Sequence, residues 1–463
     1  MSFLLEPPPE FGADIAPSSN YYRSIDTFPD PLFSGLPSAP ALSQGQQSAV
    51  RAQMLSQHIP TSGSETSAIV TYVGQMIAHE IVPSTSLFPD LVVEPTMNLG
   101  SLYGHAGTDD PRPPIDSAGR FVLGKLPGDP TSGSDLARDR YSAKALIADP
   151  RNDENHLVSQ MHATWLRFHN RMVDYALANE ECDPLHYARQ ITVRAFQFVA
   201  VTDFLSQIIS RPVYEHYLRA GPQILDSTRF TKIPDSFAFG AFRIGHSMVR
   251  NAYTLNRRRG RLRLHPMPEL FARFRDQPFS AEENVDWRII DQQPAGRIDC
   301  AIVHAMNRPP FDGTRKSIVE INLRQGQHLP PGYACAAHIV ARHPRLAGIA
   351  RLTPMPEDAL ESGRLRPLGL NIETLPLWLY LLQEASVSPG FGDSMGPLGS
   401  IIIAEVVFSS IQASTESVSP LLSQGFAEWC GWLGPFGRFL ETRRPPQTTH
   451  VRFLDVFDFL EST

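Results

Sequence analysis

Between Val158 and Ala176, apolar and aromatic side chains return every three or four residues: Val158, Met161, His162, Trp165, Leu166, His169, Met172, Val173 and Ala176. An apolar face that wide, carried through about five turns of helix, cannot be covered by one neighbour, so it demands several helices packed around it. Candidates follow in order. SAIVTYVGQMIAHEIV carries Ile69, Val70, Val73, Met76, Ile77 and Ile81 at helical spacing and is stopped by Pro83. YARQITVRAFQFVAVTDFLSQII comes directly after the long helix, and TLPLWLYLLQEA, LGSIIIAEVVFSSIQAS and SQGFAEWCGWL read as later helices. No internal repeat and no hairpin signal is evident. The expected architecture is mainly α, with long loops and little sheet.

Composition narrows the function classes. Acidic residues outnumber basic ones, 48 to 41, for a formal net charge of −7, which argues against a nucleic-acid partner. No apolar run approaches a transmembrane span, and the N-terminus lacks a basic, then apolar, leader pattern, so a soluble, cytoplasmic chain is expected. Cys182, Cys300, Cys335 and Cys430 are far apart and form no CxxC pair, which removes a zinc ribbon, a c-type haem attachment and a secreted disulfide framework. Residues 1–60, rich in Pro, Ser and Gly, read as an extended arm over a single domain of residues 61–463. Residues 84–140 read as loop, as does SPGFGDSMGPLG, which lacks the strand and the GK[ST] of a phosphate cradle. The section from Ile289 to Asn322 reads as helical, broken at Pro309 and Pro310.

Three places set a polar, chemically capable residue on or beside an apolar helix: Gln75 with His79, Arg151 with Glu154, and Arg243 with His246. Read as one helix, Phe237 to Asn256 aligns Phe239, Phe242, His246 and Val249 on a buried stripe. Arg243 and Arg250 flank that histidine, which implies an anion nearby. The tract NRRRGRLRLHP that follows reads as a solvated basic loop. If the three places converge, the pocket holds one imidazole to ligate a metal, a second to move a proton, and a cation for developing charge. Such equipment can activate peroxide at haem iron, although spacing alone does not select that chemistry. His162 and His169 read as satisfied core residues.

VGQMIAHEIV, DPRNDENHLVSQMHATWLRFHNRMV, FRIGHSMVRNAYTLN and SIVEINLRQG, in that order, resemble the motifs of the animal-type haem peroxidase and cyclooxygenase superfamily, particularly its bacterial members. The resemblance extends over residues 67–410 and implies a helical haem-peroxidase-like fold. It makes His79 the distal histidine with Gln75 beside it, Arg151 the catalytic arginine, Glu154 a haem-contacting carboxyl and His246 the iron ligand. Asn322 would accept the proximal imidazole N–H, and Arg243 would meet a haem propionate. Arg243 also occupies the third position before His246, where cyclooxygenase-type members resemble YxxH. The implied activity is reduction of hydrogen peroxide, with an oxoferryl species then oxidising a small organic or lipid-like substrate or a halide. Fatty-acid dioxygenation, tailoring oxidation of a small metabolite and a non-catalytic haem-binding relative are the alternatives. Ala78 stands where an ester-forming aspartate occurs in mammalian members, so non-covalent haem b is expected. Glu80, Asn98 and Gly100 depart from the family's calcium ligands, leaving calcium open. Substrate choice would reside in residues 84–150 and 257–290.

Overall fold

The structure, a computed structural model, describes residues 30–55, 63–83, 93–104, 113–128, 133–226, 230–258, 261–271, 279–309, 316–361, 365–443 and 450–462. Seven helices carry most of the packing used below: α1 (Gln44–Leu55), α2 (Ala68–Ile81), α3 (His156–Ala178), α4 (Pro184–Val199), α5 (Ile318–Gln325), α6 (Leu377–Val387) and α7 (Pro397–Gln412). Two small antiparallel pairs complete it, β1 (Leu123–Gly124) with β2 (Asp135–Leu136), and β3 (Ala252–Arg258) with β4 (Arg261–Pro266). The protein is mainly α-helical, as the stripes predict.

Local chemistry sets the helix ends. Ser67 caps α2 by accepting from the Ile69 N–H, Asn155 caps α3 by accepting from Val158, and Asp183 caps α4 by accepting from His186. Helix α7 is buried on every side from Leu398 to Ile411, so it runs through the centre rather than along the surface. Its N-terminus is met by the buried Glu384 carboxylate, which accepts from the Leu398 and Gly399 amides. One contiguous apolar core reaches from Leu32 and Phe33 to Phe459.

Several sequence expectations need correction. Phe237–Asn256 is not one helix: a π turn over Ser236–Gly240 and a 3-10 turn over Ala241–Ile244 lead into a single α turn, Gly245–Met248. Val249 then turns extended, at ψ 139°, and the chain enters β3. The period had already changed from 3.6 to 2, with Tyr253 and Leu255 buried and Thr254 and Asn256 only partly so. NRRRGRLRLHP is accordingly the end of β3 and the whole of β4, with residues 259–260 outside the described set. The N-terminal segment contains α1, where a wholly extended arm was expected; residues 1–29 and 56–62 lie outside the described set. Between 289 and 322 helix is confined, among the described residues, to the end of Trp287–Asp291, to His304–Asn307 and to the start of α5. No helix of the described residues is long and apolar enough to cross a membrane.

Candidate active site

Helix α2 supplies the first face of a cavity of about 200 Å³. Gln75 and His79, one turn apart, both line it. The His79 ring is buried, and its Nδ1 lies 2.8 Å from Asn152 Oδ1. An amide oxygen only accepts, so the proton sits on Nδ1 and the Nε2 lone pair is left for the cavity. Burial, reinforced by the Arg151 charge, pushes this imidazole down to about 4, so it is neutral at pH 7. Its Nε2 lies 3.9 Å from Glu154 Oε2. Burial raises Glu154 to about 8, so both partners are neutral at pH 7 and the contact is not an ion pair. Gln75 donates to Glu154 at 3.2 Å and accepts from Asn155 Nδ2 at 3.2 Å, which fixes the carboxyl beside the imidazole.

Asp149, Asn152 and Glu154 reach these positions because Pro150 opens a 3-10 turn, Pro150–Asp153, just before α3. Arg151 in that turn lines the cavity, but its guanidinium is largely consumed elsewhere. Nε and Nη2 donate to Asp149 at 3.0 and 2.7 Å, Nη2 to the His79 carbonyl at 2.6 Å and Nη1 to the Val82 carbonyl at 2.7 Å. Four of the five N–H groups are therefore engaged, and one on Nη1 remains. The arginine thus ties the end of α2, and with it His79, to the turn before α3. Asp149 is fully buried and is held below its usual range, its desolvation outweighed by Arg151. Asp149→Ala would leave the guanidinium unpaired, and we expect a loss of about 3–5 kcal/mol in denaturant unfolding.

The facing wall comes from the irregular segment around His246. Gly240, at φ −114° and ψ −88°, passes so close to α6 that a Cβ there would lie 2.9 Å from Leu377, and it turns the chain from the π to the 3-10 segment. His246 follows in the single α turn and lines the cavity. Its Nδ1 lies 3.0 Å from the Asn322 side-chain amide on α5. As placed, Nδ2 faces the ring while Oδ1 is buried without a partner. Turning the amide over gives a ring N–H an acceptor, so the network favours Nδ1–H donating to Oδ1. Burial and the Arg243 charge lower His246 to about 3, leaving a neutral ring with its Nε2 lone pair unclaimed. Arg243 also lines the cavity; its Nε donates to the Ala238 carbonyl at 2.9 Å, and burial beside Arg151 lowers it to about 10.

Six residues singled out from the sequence, Gln75, His79, Arg151, Glu154, Arg243 and His246, thus line one cavity, with Asn322 behind the last. Arg250 does not join them. It donates to the Ala252 and Pro294 carbonyls, so its charge is used on backbone and implies no anion. His169 is satisfied as expected, by Tyr103 and the Gly119 carbonyl, whereas neither ring nitrogen of the buried His162 has a partner. Asn152 and Asp149 were missed, although a polar run interrupted by proline just before a long apolar helix is a signal for side chains folded back on a turn.

These groups fit haem. An unclaimed imidazole lone pair, a buried cation suited to a carboxylate and an apolar wall formed by Phe204, Phe242, Ile244 and Met248 are what an iron porphyrin requires. Among the described residues, Glu80 and Asn98, where the family's ligands would sit, do not fit calcium. Both Glu80 oxygens are taken by backbone donors, Gly100 N at 2.7 Å and Ser101 N at 3.0 Å. Asn98 accepts from Thr415 N and donates to Thr96 Oγ1. N–H donors now surround the carboxylate that a hard cation would need. Calorimetric Tm is expected to be unchanged by EDTA or added calcium; a rise with calcium would show a site of another composition.

Peroxidase A from Dictyostelium discoideum superposes with a TM-score of 0.59 at 15% identity, covering 89% of this chain and 92% of that one. Fatty acid alpha-dioxygenases from Oryza sativa, in a structure with palmitic acid, and from Arabidopsis thaliana give 0.58 and 0.55 at 13% and 14% identity. They cover 87% and 91% of this chain and 80% and 76% of their own. At such identities the likeness concerns the fold. Human thyroid peroxidase is 28% identical over 109 residues, which is 22% of this chain and 12% of that protein. Residues 121–411, more than half of the sequence, match the animal haem peroxidase family, a span that contains Arg151, Arg243, His246 and Asn322 and leaves Gln75 and His79 before it. The chain belongs to the animal haem peroxidase family.

Proposed function

We propose that this chain binds haem b through His246, reduces hydrogen peroxide and oxidises an organic substrate or a halide. The observation that carries the reading is a pair of buried, neutral imidazoles lining one cavity, each with Nδ1 against an asparagine and Nε2 left over. Haem bound at His246 would supply the iron that accepts peroxide and the redox equivalents. The chain's own residues then do the following. Asn322 holds the His246 ring in one tautomer and orientation. Arg243 offers its charge to a propionate. His79 Nε2 takes the proton from one peroxide oxygen and returns it to the other, with Asn152 keeping the second ring nitrogen protonated throughout. Arg151 acts chiefly by fixing the α2 end through the His79 carbonyl, with one N–H still directed to developing charge.

The proton carrier must be neutral to start. Because its pKa is depressed, the base form of His79 persists far below the ordinary histidine range. The second-order rate of reaction with peroxide, measured by stopped flow, should stay flat from pH 7 to 5 and fall as pH drops through about 4. A midpoint near 6.5 would mean a solvated histidine and refute the assignment.

One observation favours a second reading, fatty-acid dioxygenation. Tyr72 lines the cavity, fully buried, its ring 5.7 Å from that of Tyr253. A phenol there could give up a hydrogen atom where the third residue before His246 is arginine. Oxygen uptake with an unsaturated fatty acid, lost in Tyr72→Phe and without peroxide-dependent dye oxidation, would select it.

A further inference from the structure

The β3–β4 hairpin has no part in the chemistry above, yet its composition opposes that of the whole chain. Five of the seven residues from Arg257 to Arg263 are arginine, in a protein of net charge −7. The hairpin also departs from an ordinary solvated turn. Leu262 is 57% and Leu264 61% exposed, on the same face of β4, with Arg263 exposed between them. Tyr253 and Leu255 of β3 are fully buried, so the inner strand anchors the hairpin while the outer strand stands clear. Among the described residues β4 pairs only with β3, and Glu269 approaches Arg263 at 3.8 Å with both side chains largely exposed, a weak neutralisation. Apolar side chains displayed among concentrated arginines match one kind of surface, an anionic lipid layer: headgroup phosphates and carboxylates for the guanidinium groups, the acyl boundary for the leucines. A nucleic acid would use the charge but has no use for the leucines, and no aromatic side chain lies in that seven-residue tract.

The hairpin also leads to the cavity. Met267 and Phe271, in the turn directly after β4, line it, and Met267 N donates to the Asn251 carbonyl, closing the hairpin base. We propose that the β3–β4 hairpin docks the protein peripherally on anionic membrane, with this side of the cavity towards the lipid. The inference rests on the hairpin and not on haem binding or turnover.

Sedimentation with vesicles tests it on the full chain. Vesicles of phosphatidylcholine with phosphatidylserine should carry the protein down in 0.1 M salt, and pure phosphatidylcholine vesicles should not. Raising salt to 0.5 M should weaken binding at least tenfold, about the screening expected for several guanidinium contacts. Arg257→Ser with Arg263→Ser, and separately Leu262→Ser with Leu264→Ser, should each weaken it about tenfold while the circular dichroism and any haem spectrum stay as in the parent. No binding to anionic vesicles would overturn the proposal. Equal binding to both vesicle types, or binding to RNA and vesicles alike that is unchanged by the leucine substitutions, would overturn it too. If a variant misfolds, the salt and lipid dependence of the unmodified protein decides alone.

Discussion

His246→Ala is expected to abolish haem binding: the purified variant, incubated with one equivalent of haem, should show the spectrum of free haem and no Soret band of the bound form. The size of the effect follows from geometry. Among the described lining residues, the cavity offers two neutral imidazoles; the Nε2 of His79 lies 3.9 Å from Glu154, whereas His246 is held through Nδ1 by Asn322 and has its Nε2 left for a ligand. Removing the latter leaves an apolar wall and Arg243, which can hold a propionate but cannot ligate iron. The fold should survive, because the ring borders a cavity, so deleting it exposes no core and costs only the hydrogen bond of the buried Asn322 amide, about 1–3 kcal/mol. Asn322→Ala should be milder, lowering haem affinity about 10–100-fold, since it frees the ring rather than removing it. An unchanged Soret band in His246→Ala would place the cofactor elsewhere.

His79→Ala should leave haem bound and slow the reaction with peroxide by about 10²–10⁴-fold, or about 3–5 kcal/mol of barrier. Both neighbours are unsuited to replace it. Glu154 is held in the protonated form below about 8, so at neutral pH it cannot take the first proton, and Arg151 has most of its donors committed. Stopped-flow absorbance at several peroxide concentrations measures the loss, and parent-like rates would remove His79 from the mechanism.

The site was legible where chemistry sits on a regular helix. Gln75 and His79, four apart, share a face of α2, and the helix itself could be read from the spacing of Ile69, Val73, Met76 and Ile77, which lie on another side of it. It was less legible where irregular backbone does the positioning. His246 lines the cavity, but the long helix expected around it is three short pieces separated at Gly240 and closed by extended Val249. Periodicity averaged over a window cannot register such breaks. Nor could it show that Arg151 spends its charge on Asp149 and two carbonyls, because those partners meet only after Pro150 has turned the chain. The hairpin was missed for a related reason: a charged tract with leucines at every second position reads as solvent-facing, and only the buried Tyr253 and Leu255 opposite reveal a strand.

The two histidine faces are proposed to enclose a haem that meets peroxide. The most direct test is the absorption spectrum of the purified, haem-reconstituted protein before and after one equivalent of hydrogen peroxide. A Soret band should be present, shift within seconds and return when a reducing dye is added. A protein that takes up no haem, or a Soret band that peroxide leaves unmoved, would contradict that proposal.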